Sequence, residues 1–150
     1  MAESRASAVW EGDLTGGNGT VSVASGAFPE QAVTWKARTE RPDPKTSPEE
    51  LIAAAHAACY SMAFSNALAQ AGHTPERVAV DAACEFGPVE GGFAITRINL
   101  TVSGRVPGID QAEFERLAGD GERGCPVSNA LRGNVEIGLA VTLEASPETA

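Results

Sequence analysis

Apolar and polar positions alternate with period two over several stretches of the chain and switch to a helical period in others. These switches divide the chain into elements. Residues 8–11 and 20–25 flank the turn-rich Gly16-Gly17-Asn18-Gly19, which predicts a hairpin. Val33, Trp35 and Ala37 alternate with Thr34, Lys36 and Arg38, predicting a third strand with Arg38 on its polar face. Residues 41–46, with Pro42 and Pro44, read as a loop. Val78, Val80, Ala82, Cys84 and Phe86 alternate with Arg77, Ala79, Asp81, Ala83 and Glu85, a strand buried on one face. After the Gly91-Gly92 turn, Ala94, Thr96, Ile98, Leu100 and Val102 continue as its partner. Val135, Ile137, Leu139, Val141 and Leu143 make a last strand, and the residues beyond Ala145 read as a frayed tail.

The firmest helix start is Ser47-Pro48-Glu49-Glu50: Ser47 as N-cap, Pro48 in the first turn, and Glu50 closing a capping box. This helix should run to about Ala71, where Gly72 supplies a left-handed cap and Pro75 blocks continuation. Its length is then on the order of 35 Å. Ala53, Ala54, Ala55, Ala57 and Ala58 leave little bulk around its middle turns, so another element can approach closely. Ile52, Ala55, Cys59 and Met62 form one stripe at helical spacing, which turns Cys59 toward packed structure. Asp110 and Glu113 make a second capping box for a helix carrying Phe114 and Leu117 and ending near Gly121. Gly124-Cys125-Pro126 begins a short helix toward Leu131. The sum is an α+β fold, antiparallel sheets with a long central helix, in a single domain over residues 1–150 with an ordered core at about 8–143.

Composition narrows the function. The 150 residues are 43% hydrophobic and 21% charged, within the globular range and suited to one core. Twenty acidic against eleven basic residues give a net charge of −9, a field that repels phosphate backbones and anionic lipid. Nucleic acid and membrane surfaces are therefore not expected as partners. The apolar run from Leu51 to Ala71 is interrupted by His56, Ser61, Ser65, Asn66 and Gln70, which reads as too polar for a membrane span. The first five residues lack the apolar core of a secretory signal, so a cytoplasmic location is expected. Three cysteines at long separations do not make a secreted disulfide framework, and each has to be argued singly.

Cys59 has two readings, inert packing as a small hydrophobe or a thiol with room around its sulfur among the alanines. Cys125, directly before a proline at a helix start, sits where unpaired N–H groups favour a thiolate; the plainer reading is a simple cap. Cys84 shares a strand face with Val80 and Phe86 and is assigned to the core. His56 and Cys59, three residues apart, could form a base–nucleophile pair as in thiol hydrolases, or the imidazole could simply pack. Glu49-Glu50 can be a helix-terminal charge pair and Arg38 a solvated charge. No C-x-x-C or H-x-x-E-H spacing points to a metal, and no cofactor is expected.

The block from Thr46 to Ala63, with Ser47-Pro48-Glu49-Glu50 and His56-Ala57-Ala58-Cys59 within it, closely resembles the first-cysteine motif of the osmotically inducible protein C (OsmC) family. Ala8-Val9-Trp10-Glu11-Gly12-Asp13, Gly92-Phe93-Ala94-Ile95-Thr96, Val106-Pro107-Gly108-Ile109-Asp110 and Gly124-Cys125-Pro126-Val127-Ser128 resemble the rest of the family pattern in order. Tyr60 departs from the Phe common after the first cysteine. The resemblance favours the OsmC branch over the organic hydroperoxide resistance (Ohr) branch. It implies an intertwined homodimer and a thiol peroxidase that reduces organic hydroperoxides, and hydrogen peroxide less well, in peroxide or osmotic stress defence. It also implies the roles: Cys59 peroxidatic, Cys125 resolving it as a disulfide, Arg38 and Glu49 around the first sulfur, and a dithiol such as a lipoylated protein as reductant. The residues themselves leave two alternatives, a Cys–His thiol hydrolase or acyl transferase and a non-enzymatic redox-sensing or small-molecule-binding module.

Overall fold

The structure, a computed structural model, describes residues 1–40 and 44–145. The loop expected at 41–46 lies partly, and the tail expected beyond Ala145 wholly, outside the described residues. The described residues group into two compact units, Met1–Leu51 and Ile52–Ala150.

In the first unit, β1 (Ala6–Glu11), β2 (Asn18–Val23) and β3 (Gln31–Val33) form an antiparallel sheet in sequence order. The expected hairpin is present and closes at the Glu11–Asn18 pair. Trp10 pairs with Gly19, where a Cβ would stand 2.7 Å from the indole ring and 2.5 Å from the Val9 carbonyl; only glycine fits beneath this tryptophan. The third strand stops at Val33, and the run expected to continue it is instead a helix, α1 (Trp35–Thr39). Thr34 remains extended and its hydroxyl accepts the Ala37 N–H at 3.1 Å, a helix N-cap. Six residues are too few for periodicity to separate a strand from one helical turn, and the cap decides. Arg38 is accordingly a helical residue. A parallel bridge between Val33 and Thr46 brings the chain to the long helix α2 (Pro48–Gln70). Ser47 Oγ accepts the Glu50 N–H at 3.1 Å, as the capping box predicts, while the Thr46 hydroxyl donates to the Glu50 carboxylate at 2.7 Å.

In the second unit α2 continues to its expected end. Gly72 is left-handed at φ +90°, His73 N–H bonds Leu68 O at 2.9 Å and Gly72 N–H bonds Ala69 O at 3.0 Å, a Schellman ending. The buried row is His56, Tyr60, Phe64 and Leu68, not the expected stripe of Ile52, Ala55, Cys59 and Met62. Ala55 and Met62 are exposed, and Cys59 is half-buried at the edge of the row. Alanine has too little side chain to mark a face, so the large residues one position along set the helix's rotation. By length and composition alone α2 passes as a membrane span, contrary to the sequence reading, with mean hydropathy 1.2. Within the chain its large apolar row is taken up by α3 (Gln111–Arg123) and the sheet, through Phe64 against Phe114 at 5.0 Å between ring centroids and the shared cluster with Leu100 and Val102.

That sheet contains β4 (Arg77–Val89), β5 (Gly92–Arg105) and β6 (Glu136–Leu143). The β4–β5 hairpin is antiparallel as expected, but β6 lies parallel to β5, so the sheet is mixed. The reason is the connection: α3 and α4 (Pro126–Leu131) form a crossover long enough to return the chain to its starting end. A bulge leaves Thr96 unpaired between Ile95 and Arg97, which interrupts the expected alternation there. Asp110 caps α3 through the Glu113 N–H at 2.9 Å, and the helix runs past Gly121 to Arg123.

Gly121, inside this helix, lies against α2: a Cβ there would meet Phe64 Cα at 2.9 Å. Gly119, on the same helix, has only the flexible Arg123 guanidinium at 3.5 Å. Gly119→Ala should therefore raise unfolding stability by about 1 kcal/mol, its helix-propensity gain. Gly121→Ala should lose about 1–3 kcal/mol, because the clash with backbone exceeds that gain. Urea unfolding of the two variants checks this, and equal gains would show that the α2–α3 contact is not close.

Candidate active site

Cys59 and Cys125 come together in the second unit. Cys59 projects from the edge of the buried row of α2, and Cys125 is the N-cap of α4, fully buried. Both are free thiols. The Cys59 thiol lies within hydrogen-bonding reach of the Cys125 thiol and the Val127 N–H. Burial pushes the Cys59 thiol above its ordinary value; the Val127 N–H works against the rise and the Cys125 thiol adds to it. These surroundings therefore favour the neutral thiol. Cys125 Sγ accepts the Ser128 N–H at 3.5 Å, the capping geometry the Cys-Pro dipeptide predicts. Cys84 is half-buried on β4, paired with Ile98 across the hairpin.

His56 has a partner that sequence reasoning missed: its Nε2 lies 2.6 Å from Ser128 Oγ, with both residues fully buried. Its Nδ1 has no hydrogen-bond partner among the described residues. Desolvation lowers the imidazole from its ordinary value, opposed by the Glu122 carboxylate. One turn along α2, the Tyr60 hydroxyl donates to the Ala118 carbonyl of α3 at 2.8 Å, and burial pushes this phenol strongly up. The Tyr60 departure noted in the sequence is therefore a buried hydrogen bond between helices. The legible signal for Ser128 was its place three residues after the capping cysteine, where its N–H must turn toward the cap.

Arg38 and Glu49 come together in the first unit. Arg38 Nε bonds Glu49 Oε1 at 2.9 Å and Nη2 bonds Oε2 at 3.2 Å, a bidentate fork. Glu49 is only 3% exposed, and the guanidinium carbon stands 5.6 Å from the centre of the Trp35 ring. The reading of Arg38 as a solvated charge is corrected, since Glu49 holds it; Glu49 and Glu50 both lie in the first turn of α2, as the terminal charge pair expects, and Glu50 additionally accepts from Thr46. A cavity of about 280 Å³ beside Arg38 is lined by Trp10, Leu14, Val33 and Trp35, an apolar chamber with the Arg38 guanidinium at its wall. Among the described residues no group of three or more His, Cys, Asp or Glu is placed to hold a metal ion.

Comparison with known proteins follows the same lines. The profile of the OsmC-like protein family matches residues 41–140. The peroxiredoxin OsmC of Escherichia coli is 44% identical over 128 residues, which cover 85% of this chain and 89% of that protein. The organic hydroperoxide resistance protein of Xanthomonas axonopodis pv. citri is 38% identical over 97 residues, 64% of this chain and 66% of its own. The crystal structure of an organic hydroperoxide resistance protein from Elizabethkingia anophelis superposes with a TM-score of 0.72 at 27% identity, covering 93% of this chain and 96% of that one.

The His56 environment carries a pH dependence whose sign follows from its cause. Folding favours the neutral ring, so below the ordinary histidine value of 6.5 the unfolded chain takes up a proton that the folded chain resists. Stability should fall as pH drops through that value, by at most about 1.4 kcal/mol per pH unit from this group. Urea unfolding from pH 7.5 to 5.5 should show this component in the wild type and not in His56→Gln; equal slopes would mean that the ring is not desolvated.

Proposed function

The chain belongs to the OsmC family, and from that premise we propose that it is a thiol peroxidase of peroxide defence that reduces organic hydroperoxides, and hydrogen peroxide less well. The observation that carries this reading is the adjacent pair of reduced thiols, Cys59 at the edge of a buried row and Cys125 buried behind it. The Cys59 thiolate attacks the O–O bond, its sulfur becomes a sulfenic acid and an alcohol leaves. Cys125 then condenses with the sulfenic acid to a disulfide, which an external dithiol, such as that of a lipoylated protein, reopens. The apolar cavity beside Arg38 supports an organic substrate, and the names of the Escherichia coli and Xanthomonas relatives point the same way. Free thiols suit a reducing cytoplasm.

Burial and the neighbouring Cys125 thiol raise the Cys59 thiol, so an attacking thiolate needs a cation. Arg38, oriented by Glu49, is the group proposed to supply it and to stabilise the departing alkoxide. Glu49 and Cys59 are ten residues apart on the unbroken α2, about 15 Å along its axis. This spacing supports a site completed by a second copy, whose Arg38–Glu49 fork approaches Cys59. The exposed face of Ala54, Ala55, Ala58 and Met62 supports the same homodimer, since only 22% of the apolar stretch of α2 is buried within one chain. The thiol-hydrolase alternative requires His56 as the base for Cys59, and Ser128 occupies its Nε2.

With dithiothreitol or dihydrolipoamide as donor, Cys59→Ser should abolish peroxide consumption. Cys125→Ser should react once and accumulate sulfenic acid, and Cys84→Ser should retain turnover. Arg38→Ala should slow attack and move its pH–rate profile to higher pH. Mixing inactive Cys59→Ser and Glu49→Ala chains under exchange conditions should restore activity in the heterodimer. A monomeric mass with no recovery would rule out the shared site, and loss of the first oxidation step in Cys125→Ser would reverse the thiol assignment.

A further inference from the structure

Among the described residues, two buried side-chain contacts stand out once the thiols and the Arg38–Glu49 fork have roles. The 2.6 Å contact between His56 and Ser128 joins the middle of α2 to the first turn of α4, and both side chains are fully buried. As packing this is a poor choice: an imidazole and a hydroxyl are both desolvated and His56 Nδ1 is left without a partner, where two apolar groups would carry no such penalty. Its position is what distinguishes it. Ser128 is the residue whose backbone N–H meets Cys125 Sγ at 3.5 Å, so the side chain that His56 holds belongs to the residue whose amide faces the thiol. The second contact, from the Tyr60 hydroxyl to the Ala118 carbonyl, ties α2 to the helix that leads into Cys125. The two clamps leave α2 one turn apart, and Cys59 lies between them in sequence.

We propose that His56 and Ser128 are positioning residues for the resolving thiol: the imidazole holds the Ser128 hydroxyl, this fixes the first turn of α4, and the Ser128 N–H stays aimed at Cys125 Sγ. The proposal rests on the reading of Cys125 as the resolving sulfur and concerns the second half of the oxidation. There, a lone pair on Cys125 Sγ forms the S–S bond to Cys59 while the S–O bond of the sulfenic acid breaks, its electron pair leaving on oxygen. The thiol proton of Cys125 ends on that oxygen, giving water. The Cys59 sulfur is reduced, the Cys125 sulfur is oxidised, and no further reactant is needed. Cys125 attacks once its thiol proton has left, and the Ser128 N–H is the donor placed to stabilise the thiolate that forms on Sγ. Attack on the peroxide uses the Cys59 sulfur, whose backbone donor is the Val127 N–H.

The test separates the two steps in a single turnover with one equivalent of an organic hydroperoxide. Peroxide loss reads the first step; the dimedone-trappable fraction and the mass of the disulfide form read the second. Ser128→Ala keeps the N–H but frees it from the hold of His56, and should slow condensation by up to about tenfold, the worth of the N–H bond to the thiolate if its aim is lost, while peroxide loss changes much less. His56→Leu should do the same, and His56→Gln, whose amide can hold the Ser128 hydroxyl, should recover most of the lost rate. Condensation at the wild-type rate in Ser128→Ala, or equal slowing of both steps, would overturn the proposal. Ser128→Ala removes a single oxygen and carries the test even where His56→Leu fails to fold. Cys125→Ser in the same assay keeps the two ideas apart: if it accumulates no sulfenic acid, the resolving role of Cys125 fails, and the positioning role falls with it.

Discussion

Helix α2 runs for 23 residues with no glycine and with proline only at its first position, so the separations among Glu49, His56, Cys59 and Tyr60 are set by the helical repeat and not by adaptable side chains. Its buried row turns His56, Tyr60, Phe64 and Leu68 inward and leaves Cys59 at the edge, beside the core and still half open. A rotation of one position would bury the thiol or expose it. Where the helix starts matters equally, because Ser47, Pro48 and the caps on Thr46 and Glu50 bring Glu49 to the first turn and give Arg38 its carboxylate.

The mixed sheet serves the second thiol. A β5–β6 hairpin would have left no crossover, whereas the parallel pairing requires one, and α3 and α4 lie within it with Cys125 at their junction. Tyr60 reaches α3 and His56 reaches α4, so the junction is held from α2 on both sides of the cysteine. Phe64 against Gly121 sets how closely α3 lies on α2. Glu122, between Gly121 and Arg123, pairs with Arg132 at 2.9 Å and ties the end of α3 to the end of α4.

The electrostatics divide the same way. Around Cys59 burial favours the neutral thiol, with one backbone N–H opposing it. In the first unit the Arg38 guanidinium is kept in one orientation by a buried carboxylate and an indole face. Burial at Cys59 lowers the thiolate fraction, and the thiolate is the reactive form.

Most local structure was legible in the chain. The start and end of α2, the capping of α3 and α4, the two hairpins and the cap position of Cys125 all rest on signals within a few residues, where backbone geometry and hydrogen-bond supply are local. The motif around Cys59 was equally legible, since it is a contiguous string. What the chain alone left open depends on residues far apart in sequence. Short period-two and helical patterns coincide over Val33 to Arg38, so a cap was needed to choose α1. The alanines of α2 do not mark a face, so packing of Phe64 on Phe114 set its rotation. Glu49 and Glu50 are neighbours of identical charge, and only the placement of Arg38 and Thr46 gave them different partners. His56 and Ser128 lie seventy-two residues apart, and no local rule links an imidazole to a hydroxyl at that distance. Local hydrogen bonding determined the elements; burial, which depends on what the rest of the chain brings alongside, decided which side chains meet.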